Sequence, residues 1–222
     1  MKKSLKHYEA RSSANTFLLT VGAIFLFWLG YRLFSRFPEW VDEVLVKAVV
    51  FGLPAWLYAH THKDGIHMLG LDPKKFWKGM FTGLLIGGLY EFIAVFSTLV
   101  RGAPMANVML FKSPEFWGVF MLAIFTAWWE SMFFFGYVFQ KSMELFKKSE
   151  WVAVLYTTFV FLMFHAPLRV INYGFSSAMI AQMFLLALFA IGQAILFVRT
   201  KSLYAVAVSH ALWGLVLLIY SS

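Results

Sequence analysis

The stretch AMIAQMFLLALFAIGQAILFV, residues 178–198, runs without a single formal charge. About 20 apolar residues in a row are enough for a helix to cross the hydrocarbon of a bilayer. Nothing in hydrocarbon bonds to a bare backbone amide, so a stretch like this must close its hydrogen bonds internally, as a helix. Windows of the same character recur at 16–35, 45–61, 76–100, 114–139, 151–171 and 203–220. The sequence therefore predicts an all-α, polytopic transmembrane helix bundle of about seven spans. We expect a multi-pass protein of the cell membrane, folded as one domain over residues 1–222, with the lipid bilayer as its solvent.

Composition agrees with that reading. Of the 222 residues, 61% are hydrophobic and 14% charged, and mean hydropathy is +0.72. An average soluble domain carries roughly 25% charged residues. The net charge of +8 raises the question of nucleic acid, and its distribution answers it. Lys2, Lys3, Lys6, Arg11, Lys63, Lys74, Lys75, Lys78, Lys141, Lys147, Lys148, Arg199 and Lys201 fall on one side of the seven spans; Arg32, Arg36, Arg101, Lys112 and Arg169 fall on the other. This asymmetry is the positive-inside pattern, which places the N-terminus in the cytoplasm and the C-terminus outside. No nucleic-acid partner is expected. The first span is longer than a signal-peptide core and YRLFSRFPEW after it lacks a small-residue cleavage site, so it reads as a retained helix.

The chain has no cysteine, which excludes thiol nucleophiles, disulfides and Cys-based zinc sites. His60, His62 and His67 in HTHKDGIH form a weak ligand pattern, two of them one residue apart with no partner acid at helical spacing. They read as a polar loop at a span end, and neither a metal nor a cofactor is expected.

Ionisable and polar residues inside the spans carry the functional information. A charge at a helix centre costs roughly 2.5–3.5 kcal/mol on insertion scales. The candidates are Lys47, Glu91, Glu130, His165, Gln182, Gln193 and His210. Lys47 lies near a span end and follows Asp42 and Glu43, so local pairing or snorkelling accounts for it. Gln182 and Gln193 fit interhelical hydrogen bonds. Glu91, in GGLYEFIAV, reads as a packing acid. Glu130, His165 and His210 come from three different spans, and lipid gives polar groups reason to converge on one polar cavity. A glutamate with two histidines can perform acid–base chemistry on a peptide bond, bind a metal or relay protons.

Local context separates these. ESMFFFGYVFQ from Glu130 resembles the Glu-Glu-x-x-x-Arg-Gly signature of the CPBP family of intramembrane proteases (CAAX proteases and bacteriocin-processing enzymes). FLMFH, ending at His165, resembles that family's Phe-x-x-x-His, and HALWG from His210 resembles its third signature, a histidine with a small polar residue four positions on. MLGLDPKKFWKGMFTGLLIGG is similar to the family's lead-in to its third helix. The resemblance implies a metal-independent glutamate-type peptidase acting on a membrane-associated or lipidated peptide. Glu130 would be the general base, His165 would hold the water and His210 would donate to the oxyanion. Three positions depart from the family pattern. Ser131 stands for the second glutamate, Phe135 for the arginine and Gly214 for the polar residue after the last histidine. The alternatives are a non-proteolytic relative, acting in bacteriocin immunity or as a membrane scaffold, and a small transporter using Glu91 and Glu130.

Overall fold

The computed structural model describes the backbone of residues 2–35, 37–100, 115–146 and 149–220, with the side chains of all these except 2–13, 97–99, 115 and 216–220. Arg36, the 101–114 loop with Arg101 and Lys112, Lys147, Lys148 and Ser222 lie outside the described residues, as do the side chains of Lys2, Lys3, Lys6 and Arg11. Among the described residues every regular element is helical. There are seven long helical runs: α1 (Lys2–Phe34), α2 (39–60), α3 (Phe76–Val100), α4 (115–145), α5 (Glu150–Tyr173), α6 (Ser177–Thr200) and α7 (Leu203–Tyr220). Five stretches, in α1, α3, α4, α5 and α6, are long and apolar enough by themselves to cross a membrane, and Leu203–Leu215 of α7 is a shorter apolar helix. Large apolar side chains such as Phe34, Leu85, Phe96, Ile180 and Phe184 are exposed, as expected of a surface facing acyl chains. The chain is an integral, multi-pass membrane protein.

Two elements differ from the sequence expectation. The second window is a helix of mixed pitch, with π-helical turns at Val41–Val46 and Ala48–Gly52 followed by α-helix at Leu53–His60. The fourth extends past residue 139 to Leu145 and contains a π-helical stretch at Met132–Val138. Pro167 sits inside α5, which continues to Tyr173. Proline removes one i→i−4 bond, and the intact bonds around it carry the helix on until Gly174, at φ +58°, closes it.

The helices pack as two compact units, Met1–Phe37 with Val138–Ala194, and Pro38–Tyr137 with Ile195–Ser222. In the first, aromatic pairs join α1 to α5: Phe17 with Tyr156, and Phe25 edge-on to Phe164 at 5.3 Å. Phe161 meets Phe189 of α6.

In the second unit α3 and α7 approach through glycines one turn apart. A Cβ on Gly79 would strike the Ser202 hydroxyl, and one on Gly87 would strike Leu212. At Gly83 it would lie 2.7 Å from both the Ala205 carbonyl oxygen and the Val208 Cβ. Small residues at such positions let helix backbones touch, which is how helices associate in lipid. Both residue numbers rise together, so α3 and α7 run parallel.

Helices α2 and α4 also run parallel, in fixed register. Glu43 meets Thr126, Lys47 meets Glu130, and Phe51 packs on Phe134, each pair 83 residues apart. Gly52 admits the Trp129 ring, which a Cβ there would meet at 2.8 Å. Helix α4 meets α7 antiparallel, Ser131 against His210 and Ala123 against Leu215 and Gly214.

Candidate active site

Glu130 lies half-way along the 115–145 helix, roughly 22 Å from its start at 1.5 Å per residue. Its side chain is buried, as are those of Lys47, Ser131 and His210. All four belong to the second unit. The Lys47 ammonium donates to Glu130 Oε1 at 2.6 Å and pairs with Glu43 Oε2 at 2.5 Å. The Thr126 hydroxyl donates to that same Glu43 oxygen. On the far side of the carboxylate, His210 Nε2 lies 3.6 Å from Glu130 Oε2. The other ring nitrogen, Nδ1, is 3.2 Å from Ser131 Oγ. A serine hydroxyl donating to Nδ1 leaves the ring proton on Nε2, the nitrogen that faces the carboxylate.

Local helix geometry sets this cluster. A π-helical turn closes i→i+5 bonds, and the Lys47 amide donates to the Asp42 carbonyl in this way. Lys47 is flanked by π-helical turns on both sides, and the stretch that begins at Met132 follows directly on Glu130 and Ser131. Such turns add a residue to the helix and re-aim the side chains around it; they recur at functional sites.

His165 lies in the first unit, half-buried on α5. Its Nδ1 donates to the Phe161 carbonyl at 2.8 Å and its ring stacks on the Phe161 ring, centroids 4.1 Å apart. A carbonyl only accepts, so Nδ1 carries the proton and Nε2 is the basic nitrogen of the neutral ring. Thus the structure brings Glu130 and His210 together, while His165 is described within its own unit.

Residues 112–216 match the family described as type II CAAX prenyl endopeptidase Rce1-like. Over these residues the chain is similar to that family. No curated protein and no solved structure matches it. The Rce1-like segment contains Glu130, Ser131, His165 and His210, whereas Glu43 and Lys47 stand outside it. A family of CAAX prenyl endopeptidases acts on membrane-associated peptide, in keeping with the spans above.

Within this Rce1-like frame the three departures have distinct surroundings. Ser131 is fully buried and bonds to His210. Phe135 is fully buried in the π-helical stretch. Gly214 has room beside it: a Cβ there would make ordinary contact with the Ala123 methyl at 3.9 Å.

Sequence reasoning found one of the two partners of Lys47 and missed the other. The local pairing with Glu43 is present, at i,i+4, but the ammonium is buried instead of snorkelling and reaches Glu130 as well. One signal was available, since a buried carboxylate in an apolar span calls for a cation from some other helix. Glu91 is half-buried on α3. His60 stacks on Trp56, and His62 lies against Tyr58 with Nδ1 donating to its carbonyl. Among the described residues no three His, Asp or Glu side chains are grouped as a metal would require.

Proposed function

We propose that this chain is an intramembrane endopeptidase in which Glu130 is the general base and His210 the oxyanion donor. Glu130 Oε2 takes a proton from water as the resulting hydroxide adds to the scissile carbonyl. The His210 Nε2–H stabilises the oxyanion. Collapse of the tetrahedral intermediate breaks the C–N bond, and Glu130 returns its proton to the leaving amine. No metal takes part in this scheme, because the carboxylate activates the water.

The observation that carries the reading is the 3.6 Å gap between Glu130 Oε2 and His210 Nε2. It is too long for a direct hydrogen bond and short enough for both atoms to bond to one oxygen between them. Ser131 supports it by holding Nδ1 of the ring, which orients Nε2 toward the carboxylate. A preorganised donor of this kind in a dry site is worth about 3 kcal/mol at the transition state.

The substrate is, in this reading, a peptide carrying a lipid. An apolar cavity of about 360 Å³ lies between α3, α4 and α7, lined by Phe76, Met80, Phe120, Trp128, Ala207 and Ala211 among others. The cavity is lined from the same helices that carry Glu130 and His210, α4 and α7, though neither of those two residues lines it.

Glu130→Gln tests the proposal on a quenched fluorescent peptide ending in a prenylated Cys-aliphatic-aliphatic-X sequence, with purified protein in lipid nanodiscs. Glutamine keeps the shape and cannot take the proton. We expect near-normal yield and melting temperature, because Lys47 keeps Glu43, and a fall in cleavage of about 10²–10⁴-fold. Cleavage by the unaltered chain persists with a chelator present. Unchanged turnover in Glu130→Gln removes Glu130 as the base.

A further inference from the structure

Two helices that share no sequence signature place their charges at one point. We propose that Lys47, anchored by Glu43, is a positioning residue for Glu130: it holds the carboxylate ionised and fixes which of its oxygens faces the water. The inference rests on the peptidase reading above.

The geometry distinguishes the two oxygens of Glu130. Oε1 is engaged by the Lys47 ammonium at 2.6 Å, and Oε2 is the oxygen on the His210 side. The ammonium is itself held, since Glu43 Oε2 lies 2.5 Å away and is fixed in turn by the Thr126 hydroxyl. A carboxylate clamped through one oxygen cannot rotate to exchange the two. Charge points the same way. A buried carboxylate with no counter-charge neutralises itself, and a protonated glutamic acid cannot serve as a base. Lys47 supplies the counter-charge from within hydrogen-bond range.

A purely structural account explains less. Replacing a buried ion pair with apolar side chains is often neutral or stabilising, so stability alone gives little reason to keep three charges here. The helix around Lys47 departs from α-geometry on both sides of it, at Val41–Val46 and Ala48–Gly52. That departure delivers one ammonium to one carboxylate. It also accounts for the family departures on α4. Ser131 and Phe135 leave that helix with no second acid and no cation at the motif positions, and α2 supplies one of each in Glu43 and Lys47.

The test measures kcat, KM and melting temperature for Lys47→Met, Lys47→Arg, Glu43→Gln and the double variant Lys47→Met/Glu130→Gln, in nanodiscs with the prenylated peptide. For Lys47→Met we expect kcat to fall about a hundredfold at unchanged KM, because Lys47 stands behind the base and does not touch the peptide. Lys47→Arg keeps the charge and should recover kcat to within about tenfold of the unaltered chain. Glu43→Gln frees the ammonium from one anchor and should lower kcat by a smaller factor than Lys47→Met. The double variant should melt higher than Lys47→Met, since the uncompensated carboxylate is gone. Unchanged kcat in Lys47→Met overturns the inference, as does an equal loss in Lys47→Met and Lys47→Arg, or a loss confined to KM. If Lys47→Met fails to fold, the Lys47→Arg and Glu43→Gln kinetics decide by the same criteria. These results leave the peptidase reading intact, whereas no cleavage by the unaltered chain, or full cleavage by Glu130→Gln, removes that reading and the inference with it.

Discussion

At the scale of single residues, the proposed site sets a carboxylate that must be charged to act as a base against a solvent that opposes charge. Glu130 is 6% exposed and Lys47 3%, so water cannot stabilise their charges and each relies on the other. Gly214 lies one turn beyond His210 on the same helix face. Its nearest outside neighbour would be a methyl group in ordinary contact, so the position has room for a side chain. We expect Gly214→Asn to fold at least as well as the unaltered chain, because glycine inside a helix costs about 1 kcal/mol relative to alanine. With a second donor beside His210, cleavage should rise severalfold; turnover and melting temperature measured together check this. A rise in melting temperature with no change in turnover would place residue 214 off the reaction path. Glu130 and His210 were legible in the sequence because an ionisable group in an apolar window stands out. The local pairing of Lys47 with Glu43 was legible too, and because it was a sufficient explanation the second partner, Glu130, 83 residues away, was not sought.

At the scale of elements, helices were legible and their pitch was not. Apolar length marks a helix, but whether a turn closes i→i+4 or i→i+5 depends on what its side chains find across the interface. The Met132–Val138 stretch presents Phe133 and Phe134 to Phe51, a demand set by α2 and invisible in α4 alone. The fourth span was read short because Gln140, Lys141 and Glu144 end the apolar run while the helix continues, with Lys141 and Glu144 paired at 2.6 Å. The α3–α7 contact yields a sharper prediction. A side chain at Gly83 must displace the backbone carbonyl of Ala205, whereas a Cβ on Gly88 meets nothing within 4 Å. Overpacking of this kind costs about 1–3 kcal/mol, which lowers the melting temperature of a chain this size by roughly 3–10 °C. Gly83→Leu should show that loss in nanodiscs, and Gly88→Leu should melt with the unaltered chain. Equal behaviour of the two would refute the close packing of α3 on α7.

At the scale of the whole molecule, the direction of each helix carries information that single spans do not. Within the second unit α2 and α4 run parallel, α3 and α7 run parallel, and α4 opposes α7. These directions are the ones that alternating passes through a bilayer would give to the helices of this unit. The same directions bring the start of α3 and the start of α7 to one end of the unit, where the Leu203 amide donates to the Gly70 carbonyl at 2.9 Å. Lys74, Lys75 and Lys78 therefore share that end with Lys201. Like charges gathered at one end are tolerated where a membrane surface and water screen them, and cytoplasmic loops are where such an excess accumulates. From the residues we expect that end to face the cytoplasm. A reporter fused after Ser222 should then read as external, since α7 starts at the basic end and leads away from it. A reporter placed between α4 and α5, at residues 146–149, should read as cytoplasmic. Opposite readings from both fusions would invert the whole protein while preserving the helix directions. Matching readings from the two would mean that an odd number of crossings does not separate them, which would remove one of α5, α6 or α7 from the set of spanning helices.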